Sequence, residues 1–238
     1  MENKKNGPDW DQIFIYDGLN IANNIPEACD QESFTPHAEE LYKQLDLLSD
    51  SFITNCEQEN LRVDCKMGCS WCCYQAVFAL THEMLLIVNY IRKNFDQKRI
   101  NEILAKAKKK SALTKELSKE ELLRFKHPCP LLKNGVCTIY PVRPLACRIY
   151  LSSDVETCKA RYNNPEDKSL KAALFGFMMD AGKNMNYGFV NGLKEKNLIS
   201  NEAPLEWILE QFLENKDSFD EWLSGKELHE NFDFEELA

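Results

Sequence analysis

The chain has 238 residues, 44% hydrophobic and 28% charged, which is a globular composition long enough to bury one sizeable core. A formal net charge of −9 and a pI of about 5.1 leave no general basic footprint, so nucleic acid is not expected as a partner. The N-terminal residues hold no apolar stretch of secretory type, and the longest apolar run, Met84 to Val88, is far too short to span a bilayer. The expectation is a cytoplasmic protein with no membrane contact. In such a reducing setting, ten cysteines read as metal or redox chemistry rather than as disulfides.

Residues 1 to about 36 read as irregular. Trp10, Ile13, Phe14, Ile15 and Tyr16 make a short apolar patch, and Pro26 and Pro36 would interrupt a helix. From His37 to about Glu59, Leu41, Leu45, Leu48 and Phe52 recur at helical spacing, which predicts an amphipathic helix. Cys29 and Cys56 read as ordinary core thiols. Thr81 reads as the N-cap of a helix with Met84, Leu85, Ile87, Val88 and Ile91 on its apolar face, and Glu83 favours that N-terminus. An amphipathic stretch follows from Gln97, with Lys106 to Lys110 as a solvated face, and then a short helix near 115–124. Residues 127–165, rich in proline and cysteine and holding the turn dipeptide Asn134-Gly135, predict loops and short extended pieces. Residues 168–197 predict a long helix with Leu170, Leu174, Phe177, Met178 and Met185 as core positions. Its glycines Gly176, Gly182, Gly188 and Gly192 mark either close packing or a break. Pro204 opens a further helix with Trp207, Ile208, Phe212 and Leu213. The aromatics of 207–234 read as packing residues, and the acidic tail from Asp217 as a docked helix or a mobile segment.

The chemistry lies in the cysteines. Cys65, Cys69, Cys72 and Cys73 form C-x3-C-x2-C-C, and a second group follows at Cys129, Cys137, Cys147 and Cys158. Thiolate ligands must converge on a metal from different backbone directions, and turns of two or three residues allow this. Gly68, just before Cys69, supplies a conformation other residues disfavour, and Pro130, Pro141 and Pro144 stiffen the second group. Several thiolates on one centre leave net negative charge, which Arg143 and Arg148 are placed in sequence to offset as cofactor-binding residues. His82 and His127 flank the two groups as ligands, proton carriers or neither. Tyr140 and Arg143 either line a substrate pocket or simply pack. No Walker A, G-x-G-x-x-G, H-E-x-x-H or G-x-S-x-G pattern is present, and no βαβ pattern surrounds the C-x2-C of Cys69 and Cys72.

Those cysteines, with Cys129-Pro130-x-Leu132, Cys137-x-Ile139-Tyr140, Arg143-Pro144 and Cys147-Arg148, closely resemble the bacterial YkgJ-like cysteine-cluster family over roughly residues 62–160. The resemblance implies chelation of zinc or iron and no settled reaction. Flagellin lysine-N-methylases carry a related cluster associated with an iron–sulfur centre.

The expected fold is mainly α, with helices framing a cysteine-rich, metal-organised loop region. It divides into an N-terminal extension and helix (1–61), a metal-binding domain (62–165) and a C-terminal helical region with an acidic tail (166–238). The expected partner is a metal ion, zinc or iron or an iron–sulfur cluster, held by ligands from both cysteine groups at one favoured centre. Three functions follow: a metal-chelating protein, an iron–sulfur redox or methyl-transfer enzyme, or a metal-stabilised module for a protein partner.

Overall fold

The computed structural model describes residues 8–232, and they are mainly α-helical. The N-terminal half holds α1 (Trp10–Asn23), α2 (Gln31–Gln58), β1 (Phe78–Leu80), α3 (Thr81–Asn94), α4 (Gln97–Thr114) and α5 (Lys119–Arg124). The cysteine-rich stretch adds β2 (Leu132–Lys133), β3 (Val136–Cys137), α6 (Leu145–Arg148), β4 (Ser152–Asp154) and α7 (Val155–Asn163). The C-terminal part adds β5 (Ala173–Leu174), α8 (Gly176–Glu195), β6 (Glu202–Pro204), α9 (Leu205–Glu214) and α10 (Ser218–Leu223). Among the described residues, six short strands pair antiparallel as β1–β6, β2–β3 and β4–β5. No helix among the described residues is long and apolar enough to cross a membrane.

The N-terminus departs from its expected irregularity. Asp9 caps α1 by accepting from the Gln12 N–H, and Asp30 caps α2 by accepting from the Ser33 N–H at 2.9 Å. Pro36 lies inside α2. It removes one backbone donor near the start, and the helix continues because Phe34, Ala38, Leu41, Tyr42 and Leu45 bury one face. The patch on α1 splits: Phe14 is buried, while Trp10, Ile13 and Tyr16 are exposed.

The glycines of α8 mark close packing. A Cβ on Gly188 would sit 1.9 Å from the Ile15 carbonyl oxygen, and one on Gly18 would sit 1.8 Å from that of Met185. The backbones of α1 and α8 therefore touch where neither has a side chain. Gly188→Ala is expected to cost about 3 kcal/mol, at the upper end for overpacking, and to lower Tm by roughly 6–12 °C. Gly176→Ala, with open space around it, should leave Tm level or slightly raised. An unchanged Tm for Gly188→Ala in thermal unfolding would refute the close crossing.

Other boundaries shift for local reasons. α8 begins at Gly176, since 173–174 form β5 against β4, and Leu170 and Leu174 are only half-buried. Met178 and Met185 are buried, whereas Phe177 is exposed and stacks on Phe52. Leu80, rather than Thr81, caps α3, its N–H donating to Glu83 Oε2 at 2.9 Å. The expected loop region of 127–165 contains two helices, α6 and α7. Asp154 caps α7 by accepting from the Glu156 N–H at 2.9 Å. Asn134 and Gly135, both at positive φ, turn the β2–β3 hairpin as expected.

Lys110 corrects the solvated reading of the lysine run. It is buried, 3.3 Å from the fully buried Glu206 of α9, because α4 turns that face onto α9. The tail docks: Phe219 and Trp222 are buried, and Phe232 packs on Phe78 and Trp207. Phe234 lies outside the described residues. One apolar core draws on α1, α2, α3, α4, α8, α9 and α10, with Leu131, Ile139, Leu145 and Ile149 reaching into it from the cysteine-rich stretch.

Candidate metal centre

All ten cysteines are free thiols. Backbone hydrogen bonds zip the cysteine-bearing segments together. The Asp64 N–H donates to the Ser152 oxygen at 2.9 Å, and Asp64 Oδ2 accepts from the Val155 N–H at 2.8 Å at the start of α7. Between these bonds, Cys65 Sγ accepts from the Ser152 N–H at 3.1 Å. Gly68 takes φ of +92°, where a Cβ is strained, and turns the chain so that the Cys69 N–H meets the Lys66 oxygen at 3.0 Å. Cys72 and Cys73 lie in a 3-10 turn, Trp71–Tyr74. Its backbone accepts from the second group: the Cys129 N–H donates to the Cys73 oxygen at 2.8 Å, and the His127 N–H to the Tyr74 oxygen at 2.9 Å. Tyr162 of α7 packs against Trp71 and Tyr74, which holds Cys158 over the same turn.

The eight expected ligands thus form one neighbourhood with two sides. Cys65 interacts electrostatically with Cys69, Cys72 and Cys158, and Cys158 with Cys69 and Cys72. Cys147 interacts with Cys72, Cys129 and Cys137, and Cys73 with Cys72, Cys129 and Cys147. Cys72 stands between the two sides. Burial pushes the Cys65 and Cys129 thiols up to about 11 and Cys147 well above the ordinary range, and neighbouring cysteines add to each rise. A hydrogen bond between the adjacent thiols pulls Cys72 down to about 7 and raises Cys73. Among the described residues, no three His, Cys, Asp or Glu side chains already converge as a ready-made metal cage.

Two cations face the thiols. Arg143 favours the Cys137 thiolate while stacking on Tyr140 with its guanidinium 4.1 Å from the ring centroid. Lys110 favours the Cys129 thiolate. Arg148 lies over the Tyr42 ring and donates to Asp46, to the Pro141 oxygen and, at 3.0 Å, to the Arg143 oxygen. It therefore fixes the 141–148 loop on α2. The histidines stand aside. His82 is wholly buried beside Phe189, with Nδ1 2.7 Å from Ser200 Oγ, and burial lowers its pKa to about 3. The His127 ring stacks on Phe125. Cys56 is buried in α2, and Cys29 is half-buried against the core.

A cavity of about 420 Å³ opens beside the thiols, with Cys72 and Cys147 in its lining. Glu83, Lys183, Asn186 and Glu202 also line it, whereas Tyr140 and Arg143 do not. None of these four was singled out for chemistry in the sequence. Glu83 is more than a helix-start residue. Its carboxylate accepts from Tyr42 Oη at 3.0 Å, the Leu145 N–H at 2.6 Å and the Leu80 N–H at 2.9 Å, and so ties α2, α3 and α6 together.

Residues 64–168 match the CxxCxxCC family model, described as "Putative zinc- or iron-chelating domain". No curated protein and no solved structure matches the chain. The match supports metal binding through the segment that the geometry had already set apart.

Proposed function

We propose that this chain, whose residues 64–168 match the CxxCxxCC family model, is a metal-binding protein that holds zinc or iron through Cys65, Cys69, Cys72, Cys73, Cys129, Cys137, Cys147 and Cys158. The observation that carries this reading is the gathering of eight thiols from chain stretches more than 50 residues apart. The donor set fits: four thiolates suit tetrahedral zinc and also cubane or two-iron clusters. The electrostatic neighbours fall into two overlapping sides, Cys65, Cys69 and Cys158 on one and Cys73, Cys129, Cys137 and Cys147 on the other, with Cys72 interacting with both. With Cys72 assigned to the first side, this arrangement gives two four-thiol centres in place of the single centre suggested by spacing. Arg143 and Lys110 would offset thiolate charge, with Arg148 holding the loop that carries Arg143. Bound metal would supply structural cross-linking if zinc, and electron transfer if iron–sulfur. A reducing, cytoplasmic setting belongs to this reading, since the thiols must stay free.

A second reading, an iron–sulfur-dependent redox or methyl-transfer enzyme, is favoured by the cavity that reaches Cys72 and Cys147, because a purely structural site needs no access. Metal and acid-labile sulfide analysis, with a visible spectrum, on protein purified without air separates the two. Iron with sulfide and a coloured cluster supports the enzyme, and colourless stoichiometric zinc supports a structural or chelating role. In either case Cys158→Ser and Cys147→Ser should each remove about half of the metal, one centre of two, while Cys29→Ser removes none. Full metal content in both of the first two variants would overturn the assignment.

A further inference from the structure

The cavity beside the thiols has a recognition chemistry of its own. At about 420 Å³ it falls within the roughly 300–1,000 Å³ range of small-molecule sites. Its apolar walls come from Val77, Ile149, Met179 and Val190, so an apolar ligand body would be desolvated there. Its polar lining mixes donors, Lys183, Gln75, Tyr150 and Tyr187, with the acceptors Glu202 and Asn186 Oδ1. Asn186 Oδ1, on α8, is buried with no hydrogen-bond partner. An unmet buried acceptor costs free energy that a ligand N–H can recover.

Glu202 stands across the cavity. The β1–β6 ladder sets it opposite Leu80, one turn from Glu83. Burial and the nearby Glu83 carboxylate raise Glu202 to about 7, and Lys183 only partly offsets them. Lys183 itself is exposed at the surface of α8. Glu83 adds negative charge to the cavity but no free acceptor, because its oxygens already serve Tyr42, Leu80 and Leu145. Glu202 and the unpartnered Asn186 Oδ1 are therefore two acceptors facing one cavity, which a ligand with several N–H donors can meet together.

We infer that this cavity binds a small protonated amine, with its apolar body against Val77, Ile149, Met179 and Val190 and its N–H donors on Glu202 and Asn186 Oδ1. The bound amine would lie beside Cys72 and Cys147, within reach of whatever those sulfurs hold. The cavity is built from protein atoms alone, so amine binding does not require the metal reading.

Isothermal titration calorimetry on the full-length protein tests this with 2-phenylethylamine at mildly alkaline pH, where Glu202 is ionised and the amine protonated. Saturable one-to-one binding is expected. 3-Phenylpropionate and 2-phenylethanol, of matching shape, should bind at least about tenfold more weakly. Glu202→Gln and Asn186→Leu should each weaken amine binding by about tenfold or more, with Tm and metal content unchanged. The inference is overturned if the acid or the alcohol binds as well as the amine, if the amine does not saturate, or if Glu202→Gln leaves its affinity unchanged. Metal content measured on the same samples keeps the two readings distinct. Amine binding by a metal-free protein leaves this inference standing and sinks the metal one, and a metal-loaded protein that ignores the amine does the reverse.

Discussion

Stripping the metal with a chelator under reducing conditions is expected to loosen residues 62–77 and 127–165 while α3, α4 and the α1–α8 pair stay packed in the core. Regular structure in these two stretches is short: β2 and β3 have two residues each, α6 has four and α7 has nine. Their tie to the rest of the fold includes the apolar side chains Leu131, Ile139, Leu145 and Ile149. Much of their organisation instead comes from bonds that run through the thiol segments, such as the Cys129 N–H to the Cys73 oxygen and the Ser152 N–H to Cys65 Sγ. Structural zinc in small domains contributes about 10 kcal/mol or more to folding. Here, where the larger core persists, a loss of about 5 kcal/mol and a fall in Tm of roughly 10–20 °C are expected. Hydrogen exchange should localise the effect. The amides of Asp64, Cys129 and Ser152 should exchange much faster without metal, and those of α8 should keep their protection. Unchanged exchange across 62–77 and 127–165 would mean that the metal does not organise these stretches.

Glu206→Gln is expected to be as damaging as any single change in the helical core. Lys110 and Glu206 have side chains 3% and 0% exposed, and their charges meet at 3.3 Å. Beyond this contact both Glu206 oxygens lack a hydrogen-bond partner. Removing one partner strands the other charge in the interior, at about 3–5 kcal/mol, whereas replacing both by apolar residues of similar size is often neutral. Glu206→Gln should therefore lower Tm by roughly 6–20 °C, and the double variant Lys110→Met with Glu206→Leu should recover most of the loss. A double-mutant cycle by chemical denaturation checks both. If Glu206→Gln unfolds at the parent's midpoint, the pair is not buried in solution. Lys110 also favours the Cys129 thiolate, so the pair places a fixed cation beside the thiols.

The long helices were legible where apolar residues recur at helical spacing, as along α2, α3 and α9. They were not legible in α1. Its Phe14, Gly18 and Ala22 are buried against another helix, and glycine and alanine carry too little apolar weight to reveal a face. Lys110 was misjudged for the same reason: a lysine in a basic run looks solvated until a specific carboxylate, 96 positions away, is brought against it. The cysteines were legible one by one, and so was the turn at Gly68. Their division around Cys72 was not, because Cys158 reaches Cys65 only through the β4 and α7 contacts.

The sequence alone determined the local terms: which segments prefer helix, where Gly68 and Asn134-Gly135 must turn, and that eight thiols lie in stretches able to converge. Each depends on bonds between near neighbours, where backbone conformation and side-chain type suffice. The tertiary structure alone decided the rest. It brought α1 onto α8, buried Lys110 against Glu206, made Glu83 a three-way tie, and set Glu202 and Asn186 across a cavity from Cys72 and Cys147. Those pairings join residues far apart along the chain, and their energies arise from burial and desolvation, which exist only once the helices have closed over one another.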